Sequence, residues 1–378
     1  MGLKMKIAIV AGTRPEVVKL APVYAELQAR SGCQPIWIST EQQAALNVQT
    51  LEVLGVTPDL RLDPPSPERT LGGRFAQVMD RLDDAFGRLE PDLVLVQGDT
   101  SSTAAGGMAA FARRIPIGHV EAGLRTFDLD RPFPEEGWRC VVGQLATIHF
   151  APTGGAQANL LRAGVSPDRV HVTGNTGIDT VRLTASQIVA EPLTAGLRRV
   201  LVTLHRRENW EAALDQTLAA LLRIRDAVPD VEIVFVAHAN PMLRSRVMAY
   251  LGGQSRIRVI GPLDYPSFLA HLKSATLVLS DSGGVQEEAP VFGVPVLVLR
   301  ESTERMEAVD AGTARLVGAD GAVIERECLR LLTDEAQRQV MSRALSPFGD
   351  GHAARRIVDI INAAMVARGS QTLIRAAV

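Results

Sequence analysis

Short apolar runs recur along this chain, each closing in small and polar residues and most of them followed by an amphipathic stretch of helical period. Lys6 to Val10, Pro35 to Ser39, Leu93 to Gln97, Ile117 to Val120 and Val170 to Thr173 form one set. Val200 to Thr203, Val231 to Val236, Ile257 to Ile260, Leu277 to Ser280 and Val294 to Val298 form a second. Strands that alternate with helices are joined by crossovers rather than hairpins, and a crossover returns the chain parallel to where it began. An α/β protein with two successive open units is therefore expected. Periodicity lapses from Glu191 to Arg199, which sets expected domains of 1–184 and 199–350. Periodicity alone leaves the last helical stretch, 351–378, free to pack on either; the N-terminal domain is the expected partner.

The 378 residues, 46% hydrophobic and 22% charged, are enough for two ordinary globular domains. A formal charge of −2, with no basic block or aromatic-interleaved stripe, argues against nucleic acid as a partner. No stretch approaches the roughly 20 apolar residues of a membrane span. The apolar run in MGLKMKIAIVAG is too short for a signal peptide and ends in a turn and helix. A cytoplasmic protein with no membrane partner is expected. Cys33, Cys140 and Cys328 are odd in number and lack paired spacing, so reduced thiols are expected rather than a disulfide framework or a zinc site. No two histidines have HxH or HxxxH spacing, which points away from a metal site.

In open parallel sheets ligands bind beyond the carboxyl ends of the strands, and those positions are polar here. After the first strand stand Gly12-Thr13-Arg14-Pro15-Glu16, with Pro15 suited to the first helical position and Lys19 one turn further on. Arg14 and Lys19 suit a diphosphate, or are solvated helix-start charge. Two later strands run into Gln97-Gly98-Asp99-Thr100 and Glu121-Ala122-Gly123-Leu124-Arg125, and Glu135-Glu136 follow Pro134 with Arg139 one helical turn beyond Glu135. Singly, these carboxylates read as helix caps or surface charge; three acidic sites converging are harder to dismiss. In the second half, His205 and His238 each close a strand, suited to phosphate or sugar contact and proton handling, or to bonding backbone.

The run ending in Ser280 breaks into Asp281-Ser282-Gly283-Gly284 and continues as Val285-Gln286-Glu287-Glu288, a strand, a glycine turn and a helix start. Amides without partners and the helix dipole hold a phosphate there without a lysine. Glu287 or Glu288 lies within reach of a ribose hydroxyl pair. A plain turn followed by ordinary N-terminal helix charge competes on spacing alone. The ligand expected is a nucleoside diphosphate.

Together the motifs resemble one family. GTRPEVVK at Gly12 to Lys19, GDT at Gly98 to Thr100, HVEAGLRT at His119 to Thr126, PEE at Pro134 to Glu136, HRREN at His205 to Asn209 and DSGGVQEEAP at Asp281 to Pro290 look like the non-hydrolysing UDP-N-acetylglucosamine 2-epimerases of bacteria. TGN at Thr173 to Asn175, STER at Ser302 to Arg305 and PFGDG at Pro347 to Gly351 continue the match in order. The resemblance implies a glycosyltransferase-B-like fold, two Rossmann-like domains facing a cleft, as a homodimer. It also implies interconversion of UDP-GlcNAc and UDP-ManNAc, for cell-surface polysaccharides, with no nicotinamide or metal cofactor.

By the same resemblance, Asp99, Glu121 and Glu135 are the proton-transfer candidates, with Arg139 and Lys19 shaping their charge. Arg14, His205 and the Ser282-Gly283-Gly284 amides would stabilise departing UDP. Phe268, Glu288 and Arg305 match positions that hold the uridine part, and His238 completes the substrate-binding set. The chain also departs from the family pattern. Gln42-Gln43-Ala44-Ala45 and Arg69-Thr70-Leu71 stand where relatives build a second UDP-GlcNAc site that activates them, which predicts weakened or absent activation. Trp138 and Leu204 replace smaller side chains beside the presumed sugar pocket, which leaves a modified UDP-sugar as an alternative substrate.

Overall fold

The computed structural model describes residues 4–204 and 212–376. The first sheet contains β1 (Met5–Ala11), β2 (Cys33–Ser39), β3 (Leu60–Arg61), β4 (Leu93–Gln97), β5 (Ile117–Val120), β6 (Ile148–Ala151) and β7 (Val170–Val172). The second contains β8 (Arg198–Thr203), β9 (Val231–Val236), β10 (Ile257–Ile260), β11 (Ala275–Ser280), β12 (Val296–Val298) and β13 (Ala314–Leu316). Their orders are β3-β2-β1-β4-β5-β6-β7 and β10-β9-β8-β11-β12-β13, with parallel pairing throughout.

Both orders reverse at one point, between β1 and β4 and between β8 and β11. Helices leave to opposite faces on the two sides of such a reversal, which opens a crevice at the carboxyl ends of the strands. Each sheet is thus the doubly wound sheet of a Rossmann-like unit. Helices cover both faces, so central strands are apolar without alternation: Leu93 to Val96 and Val200 to Val202 are all buried.

Three strands escape the sequence reading. β3 has two residues and β13 three, too few to show a period. β6 begins directly after the helix Glu135–Leu145, so its apolar run merges with the helical one. β12 begins at Val296 rather than Val294, because Pro295 has no N–H to give and the Val294 N–H bonds Ala289 O.

The chain forms two compact units, Met1–Thr180 with Phe348–Val378, and Val181–Pro347. The helix Ala353–Ala376 belongs to the first, where Ile357, Val358 and Ile361 share a core with Leu20, Val23 and Leu27 of the helix Arg14–Gln28. Asp179 caps it, accepting the Ala353 and Ala354 N–H groups at 3.2 and 2.9 Å. Among the described residues no helix is long and apolar enough to cross a membrane.

Candidate active site

At the reversal point of the first unit, β1 runs through Gly12 into the helix Arg14–Gln28. A Cβ on Gly12 would lie 2.0 Å from Thr40 Oγ1 and 2.3 Å from Ser102 Oγ, so only glycine fits. Arg14 opens the helix with Pro15 second, one place later than expected, and Glu16 reaches back to the Thr13 N–H at 2.7 Å in a capping box. Arg14 is half-buried and Lys19, one turn on, is buried.

Two neighbouring strands end in the expected carboxylates. β4 passes through Gly98, whose φ of +71° suits glycine, to Asp99. Arg139 presents Nε and Nη2 to Asp99 Oδ2, each at 2.6 Å. β5 ends at Glu121, which holds a left-handed backbone with φ of +60°, a conformation costing about 1–3 kcal/mol in residues other than glycine. Its side chain accepts from the Lys19 ammonium, the Gln97 amide and Asn175 Nδ2, the last at 3.1 Å. Gln97 and Asn175 are site residues the motif reading missed. Asn175 had a signal in the TGN run, and its N–H is held by Phe348 O at 2.7 Å, which brings the PFGDG run to the same place.

Glu135 and Glu136 divide their roles by position on the helix Glu135–Leu145. Glu136 is 1% exposed, accepts the Thr126 and Phe127 N–H groups at 3.1 Å each, and pairs with Arg139 Nη1 at 3.1 Å. It locks the loop and the arginine that grips Asp99. Glu135 is half-buried, the more exposed of the two.

His119 on β5 is buried and its Nε2 donates to Gly98 O at 2.8 Å. Burial pushes its pKa down to about 4, and burial with the nearby His119 charge pushes His149 on β6 down to about 3. Both are neutral in the fold, while the unfolded chain protonates them near pH 6.5. Stability is therefore whole above about pH 6.5 and lost on acidification towards pH 4, at about 1.4 kcal/mol per pH unit per histidine. His149→Leu is expected to flatten that slope by one histidine's share in guanidinium unfolding at pH 7 and pH 5; an unchanged slope would contradict it.

In the second unit β11 ends at Ser280, whose hydroxyl lies 2.7 Å from Thr203 Oγ1 and accepts the Ser282 N–H at 3.0 Å. Ser282 is the N-cap of the short helix Gly283–Glu288, without a side-chain cap bond. Beneath the turn lies Arg305. A Cβ on Gly283 would stand 2.5 Å from its Nη1, whereas one on Gly284 meets nothing closer than 3.9 Å. Arg305 is buried between Glu287 and Glu304, at 2.6 and 2.5 Å, and Glu304 also holds Arg300 at 2.9 Å. This guanidinium braces the glycine turn, and Glu287 braces the guanidinium. Glu288 is half-buried and accepts from the Tyr265 hydroxyl at 3.2 Å, which makes it the glutamate suited to a ribose.

Phe268 is half-buried on the helix Tyr265–Lys273. His238 follows β9, and its Nδ1 accepts the Asn240 N–H at 3.0 Å, which leaves Nε2 to carry the proton of the neutral ring. His205 lies outside the described residues. Gly283→Ala should lower kcat/KM for a nucleotide substrate by about 10- to 100-fold, because Arg305 is tied to two carboxylates and cannot yield. A kcat/KM within about twofold of wild type would show that the turn holds no phosphate.

Trp138 stacks on Phe75, with ring centroids 4.9 Å apart and planes 9° apart, against the core between β4 and the helix Leu71–Leu89. Leu204 is 5% exposed in the core of the second unit. Both side chains make apolar contacts with their own unit. Gln42 is also committed: its Oε1 accepts the Ser102 N–H at 3.2 Å and hydroxyl at 2.7 Å.

The carboxylates of the first unit and the glycine turn of the second each stand at the carboxyl ends of parallel strands, where doubly wound sheets bind ligands. The sequence model described as UDP-N-acetylglucosamine 2-epimerase matches residues 25–362. UDP-N-acetylglucosamine 2-epimerase of Bacillus subtilis is 41% identical over 359 residues, 94% of each chain. Among solved structures, the Neisseria meningitidis UDP-GlcNAc 2-epimerase bound to UDP-GlcNAc superposes with a TM-score of 0.91 at 36% identity, covering 94% of this chain and 99% of that one. The Methanocaldococcus jannaschii enzyme in complex with UDP-GlcNAc and UDP gives 0.81 at 32% identity, covering 95% and 99%. The chain belongs to the UDP-N-acetylglucosamine 2-epimerase family.

Proposed function

We propose that this protein interconverts UDP-GlcNAc and UDP-ManNAc without net hydrolysis, by eliminating UDP and adding it back, and that it works in the cytoplasm as a homodimer. The hydrogen at C2 has no adjacent carbonyl to acidify it, so direct removal is prohibitively slow. As the C1–O bond breaks and its electron pair leaves with UDP, positive character at C1 acidifies C2–H. A base takes that proton, and the C–H electrons form the C1=C2 bond of a 2-acetamidoglucal. Protonation at C2 from the other face and attack of UDP on C1 give the epimer.

The observation that carries this reading is the pair of carboxylates at adjacent strand ends, Asp99 held by Arg139 and Glu121 held by Lys19, Gln97 and Asn175. Proton transfer on two faces needs two groups, and Glu135 is a third candidate. Arg14, His205 and the amides of the Gly283 turn serve the leaving diphosphate, Glu288 and Phe268 the nucleoside, and Arg305 the turn itself.

Proton NMR of UDP-GlcNAc in deuterated water tests the proposal. Deuterium at C2 together with UDP-ManNAc is the expected result. Accumulation of free UDP and ManNAc would instead identify a hydrolysing epimerase, in which water traps the glucal. With Gln42 bonded inward to Ser102, initial rates should rise hyperbolically with UDP-GlcNAc; a sigmoidal curve would show that activation by substrate survives.

A further inference from the structure

Glu16 accepts hydrogen bonds on both carboxylate oxygens, and its capping box accounts for only one of them. Its side chain is fully buried, and among the described residues no cation touches it. A buried carboxylate costs several kcal/mol unless donors replace its water. Here the donors come from two places. Oε2 accepts the Gly12 N–H at 2.9 Å, the Thr13 N–H at 2.7 Å and the Thr13 hydroxyl at 2.9 Å. Oε1 accepts the Thr100 hydroxyl at 2.6 Å and lies 3.0 Å from the Thr103 hydroxyl, which shares its proton with Gln97 O at 2.5 Å.

A capping box needs only the first set. The second comes from residues 84 and 87 positions away in sequence, Thr100 at the N-cap and Thr103 in the first turn of the helix Ser101–Ala112 that follows β4. Each oxygen therefore serves one strand-end turn, on the two sides of the reversal point. Arg14 follows Thr13 in one turn and Asp99 precedes Thr100 in the other. Burial raises the pKa of Glu16, but neighbours that donate favour the acceptor-only ionised form.

We propose that Glu16 is a positioning residue that joins the Arg14 turn to the Asp99 turn, so that the proton-transfer carboxylate is fixed relative to the leaving-group side of the site. It touches no reacting atom in this role; it sets where Asp99 stands. The kinetic part of the proposal rests on the epimerase reading above, while the structural part does not.

Two variants separate the functions of the two oxygens. Glu16→Gln turns an amide N–H₂ towards donors and disrupts one arm or both. Glu16→Asp keeps the charge and can still cap the helix, but is one methylene short of Thr100 and Thr103. Hydrogen exchange followed by mass spectrometry reads the turn directly: in Glu16→Asp, amides of 98–103 should exchange at least about tenfold faster while those of 12–17 stay near wild type. In both variants kcat and the rate of deuterium entry at C2 should fall by about 100-fold, as expected for a misplaced reacting group, with KM within about threefold. Folded Glu16→Asp protein with wild-type exchange at 98–103 would overturn the proposal. So would faster exchange there with kcat undiminished. If wild-type protein leaves C2 unexchanged, the epimerase reading fails by itself and the amide exchange still decides whether Glu16 joins the turns.

Discussion

Asp99→Asn is expected to lower kcat by about a thousandfold while KM for UDP-GlcNAc changes by less than about threefold. Asparagine keeps the shape of the side chain and can still accept from Arg139, but it cannot take or return a proton. The arginine also keeps Glu136, 3.1 Å from Nη1, so its guanidinium is not stranded in the interior. The Asp99 side chain is 23% exposed, against 7% for Glu121, and so is the more accessible of the two strand-end carboxylates. Thermal stability should therefore stay close to wild type while turnover collapses. Steady-state rates and deuterium entry at C2 check the prediction together. A kcat within about tenfold of wild type would remove Asp99 from the proton-transfer steps.

Lys19→Met should affect folding as well as turnover. The ammonium is bonded to Glu121 with side chains 9% and 7% exposed, and removing one partner of a buried pair leaves the other charge without compensation. The expected loss is about 3–5 kcal/mol from the first unit. Gln97 and Asn175 remain as neutral donors, so Glu121 keeps hydrogen bonds but loses its counter-charge. The double variant Lys19→Met with Glu121→Gln should recover part of that stability, because neither charge is then orphaned, while activity stays lost. Chemical unfolding of the three variants measures the coupling. Equal and additive losses would show that the pair contributes no interaction of its own.

Much of this was open to sequence reasoning because periodicity and strand-end chemistry are local. Apolar runs such as Leu93 to Gln97 and Val231 to Val236 become strands for the reason they stand out: both faces of a parallel sheet are covered, so no alternation dilutes them. The pairs at the other end of the scale were not open to it. Glu135 and Glu136 are adjacent in sequence and alike in chemistry, as are Glu287 and Glu288. Only the helical phase shows that Glu136 and Glu287 are buried against arginines while Glu135 and Glu288 are half-buried. Trp138 and Leu204 show a related limit: their place beside motif residues says nothing of the direction in which the side chain points, and the fold stacks Trp138 on Phe75 and buries Leu204 in the second unit's core.

The sequence by itself determined the alternation of strands and helices, the strand-end carboxylates Asp99 and Glu121, the glycine turn after Ser280 and the family motifs, because each is written within a few consecutive residues. Tertiary structure decided which groups serve one another. Lys19 with Glu121, Arg139 with Asp99, Asn175 with Glu121 and Arg305 with Glu287 are pairs separated by 102, 40, 54 and 18 residues. Such partners are chosen by sheet order and by the desolvation each buried charge must offset. Neither quantity exists until the chain has folded.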